Sequence, residues 1–313
     1  MLSRIGRGPG THWRPSQAEC QQASSRGNYH VDKTGQPVCL SNRATALFCN
    51  SGRNIVNTSH SATSAVPADL LPVIELRQYT LVPGQRETLI DIFDGNFVEP
   101  QDAAGMTVIG QFRDLDRPDM FVWLRGFASM DRRRQALAAF YDGPVWAAHR
   151  DAANATMIDS DNVLLLRPAW PGAGFAPAFC ERAALYPLET SLKSNRNNEI
   201  SPLVAATIHY LNPESVAAFV ARFRNEAASL LAEQGATPLA AFVIEPAENS
   251  FPRLPVRIGE TVFVHLSRFE SIDAHARAAA APSWRDFLGS VQPYETKPAE
   301  HLRLTPTSRS LLR

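Results

Sequence analysis

Arg77 and Tyr79 in the segment VIELRQYTL, and Trp123 and Arg125 in MFVWLRGF, each stand two residues apart. That spacing puts side chains on one face of a β-strand. His209 and His265, with Thr207 and Ser267 beside them, hold comparable places later in the chain. A planar guanidinium suits a carboxylate or an enolate oxygen, which is the chemistry open to Arg77 or Arg125. Tyr79, His209 and His265 are the candidates for moving a proton. Trp123 adds an apolar wall, and apolar walls with a few polar groups fixing orientation make a small-ligand pocket. The same six residues also fit a structural account. Arg77 and Arg125 could pair with Glu75 across strands, the two histidines could donate to core backbone, and Trp123 and Trp146 could serve as packing anchors.

These residues sit inside a repeat. MFVWLRGFASMD (120–131) and VFVHLSRFESID (262–273) share six of twelve positions at an offset of 142. Pro83, Phe93 and Gly105 match Pro213, Phe223 and Gly235 at an offset of 130, and Pro144, Trp146 and Pro168 match Pro282, Trp284 and Pro306 at 138. The offsets change only in Pro/Gly-rich connections, where insertions are tolerated. Two copies follow, 72–169 and 202–307.

Each copy has one layout. VIELRQYTL predicts a strand, and Pro83–Gly84 opens a helix with Leu89, Ile92, Phe93 and Phe97 on one side. MTVIGQF and MFVWLRGF predict two strands joined by the turn RDLDRPD. Ser129, or Ser271 in the second copy, caps a further helix with Asp131 or Asp273 in its first turn. Another helix starts at Pro144 or Pro282, and NVLLLRP or HLRLTP closes the unit. The order β-α-β-β-α-β is the ferredoxin-like arrangement. One such unit would leave a sheet face bare, a larger apolar patch than monomers show. The expected fold is therefore α+β, two tandem ferredoxin-like units forming an intramolecular dimeric α+β barrel. Parity is expected to turn the aliphatic faces to the helices and the mixed faces, with the six candidates, into the barrel.

Composition narrows the function. The 313 residues carry zero net charge, 44% hydrophobic and 20% charged residues, so no overall field favours nucleic acid or an anionic membrane. No run reaches the ~20 apolar residues of a spanning helix. A cytoplasmic location is expected. Three of four cysteines (Cys20, Cys39, Cys49) fall early, without zinc or disulfide spacing. No GxGxxG, Walker loop, HExxH or GxSxG motif is present, so no nucleotide cofactor or metal is expected. The run Arg132-Arg133-Arg134 predicts a solvated helix face. Residues 1–71 hold seven Lys/Arg against three Asp/Glu without apolar periodicity, which predicts a disordered extension, a targeting segment or a start assigned upstream of one near Val66. Residues 170–201 predict a linker with a short helix in AFCERAALYPLETSL, and 308–313 a tail.

ELRQYTLVPG, GQFRDLDRPDMFVWLRGF and DGPVWAAHRDAANATMIDSDNVLLLRP resemble the NIPSNAP domain. The second copy resembles it more loosely, keeping Tyr210, Phe223, Phe269 and Trp284. The resemblance implies a dimeric α+β barrel and no agreed reaction. Its eukaryotic members imply vesicle or mitochondrial roles, and barrel relatives include cofactor-free monooxygenases, isomerases and haem enzymes. Two functions are thus expected in competition. One is a binding protein, or a cofactor-independent enzyme, for a small hydrophobic or carboxylate-bearing molecule. The other is a non-catalytic interaction or scaffold protein. A barrel cavity of several hundred Å3 beside Arg125, Tyr79 and His265 would favour the first, and a filled barrel the second. The internal pseudo-dimer leaves further oligomerisation open.

Overall fold

The computed structural model describes residues 71–175 and 202–313, with a two-residue antiparallel ladder between His30–Val31 and Pro37–Val38. That ladder belongs to one unit, Met1–Ala62; a second unit, Thr63–Arg313, carries the rest. Apart from the ladder and Leu71, the expected N-terminal extension lies outside the described residues, as does the short helix expected after Phe175.

The elements follow the sequence pattern closely. β1 (Val73–Leu81) leads through Gly84 into α1 (Arg86–Asn96) and α2 (Val98–Ala103). β2 (Thr107–Asp114) and β3 (Met120–Phe127) form the expected hairpin. Ser129 accepts from the Arg132 amide to cap α3 (Met130–Tyr141), and Pro144 opens α4 (Pro144–Asn154). A short strand β4 (Met157–Asp159) then precedes β5 (Val163–Pro168). The second half runs β6 (Leu203–Leu211), α5 (Val216–Arg222), a π-helical turn at Phe223–Ala227, α6 (Ala228–Glu233), β7 (Thr237–Ile244) and β8 (Val262–Phe269). It ends with α7 (Ile272–Ala280), capped by Ser271, then α8 (Pro282–Val291) and β9 (Glu295–Pro306). Gly105 (φ +94°) and Gly235 (φ +81°) turn the helical stretch into the next strand in each half, a left-handed exit that glycine makes without strain.

Eight strands close into a barrel in the order β3-β2-β9-β6-β8-β7-β5-β1, with β1 pairing back to β3 and β4 lying on the end of β1. Both halves use one internal order: second, third, first and last main strand. They join at two antiparallel seams, β9 on β2 (Leu304 opposite Asp114) and β5 on β7 (Leu166 opposite Ile244). Closure leaves no open edge among these eight strands.

The barrel interior corrects the expected facing. Ile74, Leu76, Val122, Leu124, Leu164 and Leu166 meet Val204, Ala206, Ile208, Val264, Leu266 and Leu302 in one shared cluster inside it. The aliphatic faces, not the mixed ones, look inward. Eight strands enclose just enough space for side chains to fill, and that space offers a guanidinium no partners. The helical layer does offer them, so the mixed faces turn outward to the helices. Tyr79, Phe121, Trp123 and Phe127 pack there in the first half, and Phe263, Phe269 and Trp284 in the second.

Each half also reaches over the other. In the long β7–β8 connection Asn249 and Ser250 accept from Arg133 Nη1 at 2.9 and 3.0 Å. Phe251 stacks on Tyr141, and Arg253 pairs with Asp142. In return Asp116, in the β2–β3 turn, pairs with Arg303 of β9.

Residues 308–313, expected as a tail, form with Thr307 a strap against the first half. Thr307 N donates to Gln111 O at 2.8 Å, Leu311 N and Leu312 N both donate to Ile109 O at 3.2 Å, and Leu312 enters the barrel cluster. Beside the strap lies buried Asp94, which accepts from Gln111 Nε2 at 3.2 Å. Burial pushes its carboxyl up to about 6, against the pull of Thr307, Arg309, Arg113 and Gln111. A folded value above the unfolded one lets the native state hold extra protons between the two, so stability falls as pH rises from about 4 to about 6. Asp94→Asn should therefore leave stability near wild type at pH 4 and raise it by roughly 1–3 kcal/mol at pH 8. Urea midpoints at the two pH values check this, and equal shifts at both would refute it.

Candidate functional site

In the first half the helical layer is filled by charge. Glu75 receives Arg77 Nη1 at 2.6 Å and Arg125 Nε at 2.7 Å on one oxygen, and Arg133 Nε at 2.7 Å on the other. All four side chains are at most 2% exposed. Arg77 Nε also donates to Tyr79 OH at 2.9 Å, and Arg125 Nη1 donates to Gln101 at 3.1 Å. The Arg77 and Arg125 guanidiniums lie 5.5 and 5.0 Å from the Trp123 ring centroid, within cation–π range. Burial works against ionisation of Glu75, yet the charges of Arg125, Arg77 and Arg133 hold its carboxyl far below the usual range. Arg133 corrects the expectation of a solvated Arg132–Arg134 run. It is fully buried, on one helical stripe with Ala136, Leu137 and Phe140, and that three-and-four spacing was the signal that marks it as inward.

At the matching positions the second half carries smaller side chains. Register places Thr207 opposite His265, as Arg77 stands opposite Trp123, and Ala205 opposite Ser267, as Glu75 stands opposite Arg125. In the capped helix that follows, His275 stands where α3 has Arg133. The volume given up is open space. A cavity of about 360 Å3 is lined by Thr207, His265, Ser267, His275, Trp284 and His301, among others, with Asp116 and Arg303 also on its wall. A second space of about 170 Å3 shares His265, Ser267 and Leu231 with it. An open groove of about 720 Å3 adjoins His209, Glu295 and His301. The matching space in the first half is only about 30 Å3.

His265 stands at the centre of these spaces. It is buried, and among the described residues neither ring nitrogen has a hydrogen-bond partner. Its ring lies 5.5 Å from that of His209 and nearly parallel to it, and 4.7 Å from Phe223 in the π-helical turn. Burial, with His209 and His301 adding to it, depresses its basicity well below the ordinary imidazole value, so the ring is neutral at pH 7. His209 Nδ1 is hydrogen-bonded to Glu295 at 2.7 Å, while its Nε2 is buried with no partner among the described residues. His301 Nδ1 meets Thr207 Oγ1 at 3.3 Å.

The six expected residues thus form two groups. Arg77, Tyr79, Trp123 and Arg125 meet in the first helical layer, and His209 and His265 meet in the second; the six do not share one cavity. Glu295, His275 and His301 were not among the sequence candidates. His301 stands opposite Thr207 on β9, a cross-sheet neighbour that no local spacing announces. Among the described residues no His/Cys/Asp/Glu cluster could hold a metal, and no helix is long and apolar enough to cross a membrane.

Several solved structures and one family model match parts of this chain. A provisionally assigned monooxygenase from Lactobacillus acidophilus NCFM aligns at 11% identity over 75% of this chain and 94% of its own, with a TM-score of 0.48. Chlorite dismutase from Candidatus Nitrospira defluvii aligns at 14% identity over 75% and 92%, with a TM-score of 0.42. An uncharacterised NIPSNAP-like domain protein from Burkholderia xenovorans aligns at 21% identity over 36% and 90%, with a TM-score of 0.28. No curated protein matches the sequence. The NIPSNAP family model matches residues 74–170, the stretch from β1 to β5 that forms the first half of this barrel.

Proposed function

We propose that the second half binds a small, flat, mostly apolar molecule between its sheet and helices, with His265 contacting one hydroxyl or carbonyl group. The observation that carries this is the pair of unpartnered ring nitrogens of buried His265 facing about 360 Å3 of space. A neutral imidazole offers one donor and one acceptor, which matches such a group. Of the ligand classes expected from sequence, a carboxylate fits less well. The arginines expected to clamp it are bound to Glu75 in the other half, and Arg303 on the cavity wall is paired with Asp116.

The first half then serves as a packed platform. Its shared strand order and matching cross-strand positions support reading the halves as copies of one ferredoxin-like unit. Relatives of the chain that keep the 142-residue offset would support that origin, and relatives lacking it would count against it. A cofactor-independent enzyme is the catalytic form of this proposal. His209, held by Glu295 and beside the open groove, is the group placed to pass a proton. The filled barrel favours the rival, a non-catalytic interaction protein.

A bicyclic phenol such as 2-naphthol is the probe that separates the two. Binding with Kd of roughly 0.1–1 mM is expected for a molecule of this size, with the His265 ring resonances moving in imidazole NMR. His265→Phe should weaken binding about tenfold or more by removing the polar contact. Absence of binding at millimolar probe, with the protein folded, would favour the interaction role.

A further inference from the structure

Among the described residues, the first half carries a buried excess of positive charge that is left unbalanced. Three guanidiniums surround a single carboxylate, and both oxygens of Glu75 are already used. Tyr79 OH is engaged by Arg77, and Gln101 Oε1 by Arg125. Donors outnumber acceptors. Among the described residues, none partners the buried Arg125 Nη2, Arg133 Nη2 or Trp123 Nε1. Uncompensated buried charge and unpaired buried N–H groups are both costly, so the arrangement calls for one more acceptor bearing negative charge.

Space for it lies beside Trp123. A pocket of about 30 Å3 is lined by Tyr79, Gln101, Trp123 and Tyr141, with Phe97 and Trp146. Arg125 Nη1 reaches two of those residues, Gln101 at 3.1 Å and Tyr141 OH at 3.5 Å. The room suits one particle of water or halide size and is too small for phosphate. The aromatic rings suit it too. Arg77 and Arg125 lie within cation–π range of the Trp123 ring, which leaves its positive edge and indole N–H for an anion.

We propose that this pocket in the first half binds a single halide-sized anion, chloride in physiological salt, at Trp123 Nε1, in the field of the Arg125 guanidinium that is bonded to Gln101 of its wall. The site is separate from the His265 cavity and does not depend on it. It makes the platform half an anion-stabilised domain.

Thermal unfolding of the full chain, in sodium gluconate exchanged for sodium chloride or bromide at constant ionic strength, tests this. The midpoint should rise by roughly 3–6 °C and level off as halide reaches about 150 mM. Trp123→Phe keeps an aromatic ring and removes the donor, so it should abolish most of that rise. Crystals grown in bromide should show an anomalous peak beside Trp123 Nε1. Coincident midpoints in gluconate and chloride would overturn the proposal, as would a full halide response in Trp123→Phe. If that variant fails to fold, the wild-type titration and the bromide peak decide alone. Water in the pocket gives no anomalous signal and likewise overturns it.

Discussion

Replacing Glu75 with glutamine should destabilise the protein by roughly 3–5 kcal/mol, a large share of the 5–15 kcal/mol typical of a whole fold. The carboxylate is fully buried and holds three guanidiniums at 2.6–2.7 Å. Glutamine keeps the shape but removes the negative charge they share, and its amide turns two donors toward groups that are themselves donors. Removing one partner of a buried ion cluster costs far more than the cluster contributes, because the charges left behind cannot regain water. The pH dependence has a definite sign. The folded carboxyl lies far below its unfolded value, so its contribution is present above about pH 4–5 and is lost as pH falls. Wild type should therefore lose stability steeply in acid, and Glu75→Gln should lose less over the same interval. Glu87→Gln is the control. Glu87 is exposed and pairs with half-exposed Arg113, an arrangement worth at most about 1 kcal/mol. Urea unfolding at pH 7 reads both variants. A Glu75→Gln midpoint as close to wild type as that of Glu87→Gln would mean that the three arginines find other partners.

Most element boundaries were legible because they rest on local chemistry. Alternation marks β1, Ser129 and Ser271 mark their helices, and Pro144 and Pro282 open the next ones. What the sequence could not show is which way a strand faces. From Val73 to Tyr79 every residue of β1 is buried, since barrel closure covers one face and helices the other. Alternation then gives the period without the direction. Chemistry had to choose, and arginines belong where helices bring Gln101, Tyr141 and Arg133 within reach. The candidate site was half legible for the same reason. Trp123 aligned with His265, and Arg125 with Ser267, stand in the sequence for anyone comparing the repeats. The cavity itself arises only when several such losses meet in one layer. Thr207, Ser267 and His275 are far apart in sequence and meet through register. The strap at 307–313 has no periodicity to announce it, because its backbone is held by Gln111 and Ile109.

Ser267→Leu should abolish probe binding in the second half, weakening it at least 100-fold, while leaving the thermal midpoint unchanged or higher. Ser267 occupies the position that Arg125 fills in the first half, is 2% exposed, and lines both the 360 and the 170 Å3 spaces. A leucine there points four carbons into open volume bounded by Trp284, Phe269 and Leu231. Filling open space beside these apolar side chains without strain adds contacts, and Ser267 gives up no hydrogen bond seen in the structure, so the fold does not suffer. A ligand meanwhile loses the space it needs and its approach to His265. Ser267→Ala separates size from hydrogen bonding. It keeps the cavity and should change binding only a few-fold, the modest net effect of one neutral hydrogen bond. The two readouts must be taken together. Lost binding with a lowered midpoint would point to general damage, whereas lost binding in a protein as stable as wild type places the ligand between sheet and helices. If Ser267→Leu binds 2-naphthol as tightly as wild type, the ligand lies elsewhere, and the open groove beside His209 and Glu295 becomes the next place to fill.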